Sequence, residues 1–168
     1  MVMMGLEVLG HLVDGHAAAL VLYARQWCLT PEDVVQDAFV KLVSQKSPPA
    51  NPVPWLYRVV RNGAISTARS AQRRRRHESL AASRNPAWFL PGEPAGLDAE
   101  TATVALQRLP LEQREVIVAH LWGGLTFEQI AEVIGTSSST AHRWYLAGLA
   151  GLRERLGVSC PPKRTNPS

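Results

Sequence analysis

The clearest alternation of apolar and polar positions runs from Leu125 to Leu156, in LTFEQIAEVIGTSSSTAHRWYLAGLAGLRERL. Ile130, Ala131 and Ile134 recur at helical spacing and make one apolar face. Thr126 can cap this helix, and Gln129 three residues later completes a capping box. Gly135 ends it, because glycine accepts the left-handed conformation that closes helices. Ser137 can cap a second helix, with Ala141, Tyr145, Leu149, Leu152 and Leu156 as its buried stripe, and small Ala131 lets the two helices cross closely. This is the pattern of a helix-turn-helix, whose second helix enters the DNA major groove by its N-terminal end. There the sequence offers Ser138, Ser139, Thr140, His142 and Arg143. An ordinary helical hairpin in an all-α core fits the same periodicity.

Upstream, the same logic predicts further helices. His16 to Trp27 is apolar nearly all round and reads as a buried helix. Thr30-Pro31-Glu32-Asp33 is a helix start, with Thr30 as cap, Pro31 in the first turn and Asp33 closing the box. In the helix that follows, Val35, Ala38, Phe39 and Leu42 face inward, while Asp33, Gln36, Asp37 and Val40 lie on the other side. A valine exposed beside acids hints at a partner surface; a solvated acidic face is the alternative. Proline-rich SPPANPVP, from Ser47 to Pro54, then breaks the helix. A long helix starts near Pro54, with Trp55, Leu56, Val59, Val60 and Gly63 inside. At 100° per residue, Arg58, Arg61, Asn62, Ile65, Arg69, Arg73 and Arg76 share one outward stripe. Arginines so aligned repel one another unless phosphates neutralise them; a solvated basic face or a flexible arm is the alternative. Pro, Gly, Ser and Ala dominate from Ala81 to about Ala99, which reads as a linker anchored by Trp88, Phe89 and Leu90. Helical pattern resumes at Glu100 through Val104, Leu106 and Leu109; Pro110 opens the next helix, and Gly123-Gly124 ends it. The tail from Gly157 is polar and expected to be disordered.

Composition narrows the function. The 168 residues suffice for one domain or two small ones, and 46% hydrophobic content supports a packed core. A net charge of +4, concentrated in one helix, favours a polyanionic partner. Cys28 and Cys160 are far apart, and neither stands in a metal spacing with His11, His16, His77, His120 or His142, so no metal, no cofactor and a cytoplasmic setting are expected. The N-terminal MVMMGLEVLGHLVDG is a poor signal peptide, and no apolar run is long enough for membrane insertion. No carboxylate pair is backed by a histidine; Asp33 and Asp37, one turn apart, lack a third ligand, so no catalytic residue is expected and an enzyme is disfavoured.

In combination, these motifs resemble a known family. PEDVVQDAFVKL followed by PWLYRVVRN is similar to the second conserved region of bacterial sigma factors. LPLEQREVIVAHLWGGLTFEQIAEVIG followed by SSSTAHRWYLAGLAGLRERL is similar to their fourth. The order, linker and length are those of the extracytoplasmic-function (ECF) group, across residues 14 to 156. The resemblance implies an all-α fold of two small helical domains joined by a flexible linker. A region 2-like domain would span 1–80, the linker 81–98, a region 4-like helix-turn-helix domain 99–157 and a disordered tail 158–168.

The resemblance also implies roles. Asp33, Gln36, Asp37 and Val40 would dock on core RNA polymerase. The Ser47–Pro54 loop and the helix with Arg58, Arg61, Asn62, Arg69, Arg73 and Arg76 would open and read the minus-ten promoter element. Ser138, Ser139, Thr140, His142 and Arg143 would read the minus-thirty-five element. Ser66 stands where the family commonly has aspartate, and Trp144 and Ala147 where arginines are usual. Promoter DNA and core polymerase are the implied partners, with an anti-sigma protein as a candidate third. A stand-alone helix-turn-helix regulator binding operator DNA is the alternative; it leaves the acidic helix and the arginine stripe unexplained.

Overall fold

Seven helices make up the described part of the chain in this computed structural model, which covers residues 5–78 and 99–157. They are α1 (Leu6–Ala24), α2 (Pro31–Val43), α3 (Pro52–His77), α4 (Ala99–Gln107), α5 (Leu111–Leu121), α6 (Phe127–Ile134) and α7 (Ser138–Leu156). Among the described residues there is no strand, as the all-α expectation required. The linker expected at 81–98, its Trp88, Phe89 and Leu90, and the tail at 158–168 lie outside them.

α1, α2 and α3 pack on one another as a first unit, and α4 to α7 as a second. α1 begins at Leu6, well before the expected His16, and runs on through Gly10 and Gly15, where an added Cβ would meet nothing. α2 starts at Pro31 as expected, but Thr30 makes no side-chain capping bond; proline in the first turn, which needs no donor there, marks the start alone. Val34, Val35, Ala38 and Leu42 are buried and Phe39 is half-buried against the same core. α3 starts at Pro52, and it buries Leu56, Tyr57, Val60 and Ala64. A Cβ at Gly63 would come within 3.1 Å of Val34 Cγ1, so this glycine marks the close crossing of α2 and α3.

The second unit forms as the pattern dictates. Thr126 accepts from the Gln129 amide, and the Gln129 side chain accepts from the Thr126 amide. Gly135, at φ 83°, closes α6 in the left-handed conformation, and Ser137 Oγ caps α7 through the Thr140 amide. On α7 the expected stripe is only partly covered: Ala141 is buried, whereas Tyr145, Leu149, Leu152 and Leu156 are half-buried. Gly148 is the other buried position, where α7 crosses α5.

The two units share one hydrophobic core. It runs from Leu20, Tyr23, Leu56 and Tyr57 into Val116, Ile117, Leu125 and Ile130. Tyr23 and Tyr57 meet edge to face at 4.9 Å between ring centres. Each such side chain, fully removed from water, stabilises the fold by about 1.5–3 kcal/mol.

Candidate nucleic-acid and polymerase interfaces

α3 places its arginines along one side of a helix that the rest of the unit buries only on the other. Asn62, Arg69, Arg73 and Arg76 are exposed, and Ile65 is half-buried. Arg61, Asn62, Ile65, Ser66, Arg69 and Arg73 line an open groove of about 460 Å³. Arg73 Nη2 donates to Ser70 Oγ at 3.2 Å, which steadies the guanidinium without neutralising it.

Two members of the stripe depart from the outward placement. Arg58 is exposed, but its Nη2 donates to the Glu132 carbonyl on α6 at 3.4 Å. Arg61 is turned into the joint between the units. Its Nε donates to Glu115 Oε1 at 2.6 Å, and the Tyr23 hydroxyl donates to the same oxygen at 2.5 Å. The Arg61 guanidinium also lies 5.8 Å from the Trp27 ring centre, a cation–π contact. Helical phase alone put Arg61 on the open side; the second unit reaches that side only near Arg61, where Glu115 draws the guanidinium in and leaves it partly exposed. Glu115 is 2% exposed. A carboxylate so buried requires an opposite charge and hydrogen bonds, and Arg61 and Tyr23 supply them. Burial works against the Arg61 charge, but the Glu115 bond and charge outweigh it and hold its proton more firmly than usual. Burial, followed by the Glu115 charge, pushes the Tyr23 phenol well above its ordinary value.

Sequence reasoning passed over Glu115. The available signal was its position: it directly precedes Val116-Ile117-Val118-Ala119, an unbroken apolar run, and the middle of the helix, from Glu115 to Ala119, is buried throughout.

On α2, Asp33, Gln36 and Asp37 are exposed and Val40 is 58% exposed, so the acidic residues and the valine share an open face. On α7, Ser139, His142 and Arg143 are exposed, while Ser138 and Thr140 are half-buried. The Thr140 hydroxyl is 2.9 Å from Ser137 Oγ, so part of its hydrogen-bonding capacity goes to the cap. His142 leans its ring against Phe127 at 5.0 Å, and Phe127 in turn stacks on His120 at 4.5 Å. His120 Nδ1 lies 2.7 Å from the Leu125 carbonyl, which fixes this aromatic group beneath the start of α7. Trp144 packs half-buried on the core, and Ala147 is exposed. Leu146, 52% exposed on the same side as His142 and Arg143, was not anticipated.

A three-helix unit bearing a basic helix, coupled to a helix-turn-helix unit, defines the class of sigma-70-type transcription factors. The family model described as Sigma-70 region 2 matches residues 12–74, and the one described as Sigma-70, region 4 matches residues 100–150. The ECF RNA polymerase sigma factor SigL of Mycobacterium tuberculosis is 32% identical over 161 residues, covering 88% of this chain and 90% of SigL. ECF RNA polymerase sigma factor SigJ of the same species is 32% identical over 126 residues, covering 67% of this chain and 38% of SigJ. RNA polymerase sigma factor CarQ of Myxococcus xanthus is 31% identical over 133 residues, covering 75% of this chain and 74% of CarQ. The fold resembles the sigma factor RpoE in its complex with the anti-sigma factor NepR from Bartonella quintana, with a TM-score of 0.75 at 23% identity, over 92% of this chain and 99% of that one. The chain belongs to the ECF sigma factors, which direct promoter-specific transcription initiation by RNA polymerase. The stand-alone regulator is not favoured. Among the described residues, no helix is long and apolar enough to cross a membrane.

Proposed function

We propose that α2 and α3 divide the work of the first unit. The exposed acidic face of Asp33, Gln36, Asp37 and Val40 docks on core polymerase, and Asn62, Arg69, Arg73 and Arg76 follow the DNA at the minus-ten element. In the second unit, Ser139, His142 and Arg143 read the minus-thirty-five element, with Ser138 and Thr140 at its edge. The protein does no bond chemistry. It binds unpaired non-template bases better than paired ones, and this differential affinity shifts DNA toward the open state. It acts in the cytoplasm, with polymerase. An anti-sigma protein is a further proposed partner, because the fold resembles that of RpoE in its complex with the anti-sigma factor NepR.

The observation that carries this reading is the open groove on α3, lined by Asn62, Arg69 and Arg73 with no carboxylate among its lining residues. Its test is a salt titration of promoter binding by the holoenzyme. Replacing Arg69 and Arg73 by alanine is expected to weaken the complex and to flatten the log–log salt slope by about two, roughly one for each phosphate no longer neutralised. An unchanged slope would refute the role of α3.

A further inference from the structure

The joint between the units is built around a charge that the first unit would otherwise present to DNA. Arg61 lies on α3 between Arg58 and the open groove of Asn62, Arg69 and Arg73, and it is one of the groove's lining residues. Its Nε donates to Glu115 Oε1 of α5 at 2.6 Å, so a carboxylate oxygen holds a guanidinium that could otherwise pair with a phosphate. Arg58 is drawn in beside it by the Glu132 carbonyl of α6. Around these groups the fit is tight. The Tyr57 hydroxyl of α3 meets Gly123, the residue just after α5 and Trp122, so closely that no Cβ could stand there. Gln26 Oε1 lies 3.4 Å from Arg114 Nε across the same joint. Thus apolar packing and a buried ion pair close the units on each other, and closure occupies Arg61 and engages Arg58.

Size sharpens the conflict. A compact body of about 130 residues has a radius of gyration near 14 Å. Two promoter elements about 25 base pairs apart are separated by about 85 Å at 3.4 Å per base pair. The closed arrangement cannot present α3 to one element and α7 to the other.

We propose that Glu115 acts as an internal stand-in for a DNA phosphate on Arg61, holding the free chain in a closed, promoter-incompetent form that opens when core polymerase takes the two units apart. This rests on the reading of α3 as a DNA-following helix. A phosphate and Glu115 compete for one guanidinium, so DNA bound at Arg61 favours the open form by the same factor by which closure disfavours DNA.

The test uses the full chain without polymerase. Small-angle scattering gives the radius of gyration, and fluorescence anisotropy gives affinity for a single-stranded DNA pool of random sequence; helix content by circular dichroism shows that each variant is folded. Glu115→Gln keeps the shape of the side chain and removes its charge. It is expected to enlarge the radius of gyration and to tighten DNA binding about tenfold or more, the factor for a closed form holding over nine-tenths of the population. Arg61→Ala is a second route to opening that leaves α5 untouched. It is expected to expand the chain without the gain in DNA affinity, because the freed guanidinium is gone. The double exchange Arg61→Glu with Glu115→Arg is expected to restore the compact radius. An unchanged radius in folded Glu115→Gln and Arg61→Ala overturns the proposal, as does expansion of Glu115→Gln with no gain in DNA affinity. The reading of α3 fails separately, through an unaltered salt slope in the Arg69→Ala, Arg73→Ala holoenzyme, since both residues are exposed and Arg73 bonds within α3, to Ser70.

Discussion

Gly148 of α7 lies so close to Ile117 of α5 that a Cβ at position 148 would overlap the Ile117 side chain and press on Gln113. Ile117 is fully buried, so it has no solvent into which to move. This crossing sets the angle at which α7 leaves the unit, and so the direction in which Arg143 and His142 point.

Gly148→Ala tests that relationship. Alanine would gain about 1 kcal/mol of helix propensity over glycine at an open site. Overpacking a filled crossing costs about 1–3 kcal/mol, so a net loss of up to about 2 kcal/mol is expected. Urea unfolding measures it, and the partner change Ile117→Val should recover part of the loss. A Gly148→Ala protein more stable than the parent would show that the crossing is loose.

Much of the helix-turn-helix was legible because its signals are local. Thr126, Gln129, Gly135 and Ser137 each act within a few residues of chain, and all four do as their sequence positions dictate. Gly63 and Gly148 carried no such signal; their reasons, Val34 and Ile117, lie on other helices. The same holds for the site. Periodicity placed Asp33, Gln36, Asp37 and Val40 on an open face, and they are there. It placed Arg61 on an open face too, and failed, because the residue's partner is 54 positions away on α5. Pairings at that distance obey packing between units, which helical phase does not encode.

Docking through α2 has a charge signature. Asp37→Arg puts a cation on the exposed face beside Val40, away from the buried Ala38 and Leu42. Stability should change by less than about 0.5 kcal/mol, as for surface substitutions generally. Association with core polymerase should fall, since like charge would meet a basic partner surface. Capture of core polymerase at parental levels by the folded variant would rule out this face.

High pH should unfold the protein through its buried phenols. Burial pushes Tyr57 up, and its hydroxyl is buried without a hydrogen-bond partner. Tyr23 is raised as well, by burial and by Glu115. An unfolded tyrosine ionises near pH 10. Above that pH the unfolded chain gives up protons that the folded chain keeps, so stability is full below about pH 10 and falls as pH rises toward the folded values. Each site contributes at most about 1.4 kcal/mol per pH unit. Tyr57→Phe removes one site and relieves an unpaired hydroxyl, so it should match or exceed the parent by about 1 kcal/mol at neutral pH. Its advantage should then grow above pH 10. Denaturant titrations from pH 8 to pH 11 check this, and parallel curves for parent and variant would exclude Tyr57 as a source.

Arg143 separates base reading from backbone holding in the second unit. It is exposed in the second turn of α7, beside His142, whose ring is braced by Phe127. Arginine paired with both acceptors of guanine discriminates by about 1–3 kcal/mol, whereas a phosphate contact carries no sequence information. Serines at the helix start are too short to reach deeply, and Trp144 is committed to the core, so few long side chains remain to read bases. Selection of a randomised upstream element by parental and Arg143→Ala holoenzyme distinguishes the two modes. Base reading is expected: preference should relax at one position, while affinity for promoters lacking the favoured base stays nearly unchanged. A uniform loss across all sequences, with a salt slope lower by about one, would assign Arg143 to a phosphate. Unchanged selection and unchanged affinity would remove Arg143 from the DNA altogether. His142 and exposed Leu146, whose side chain suits a thymine methyl group, would then be the residues to replace next.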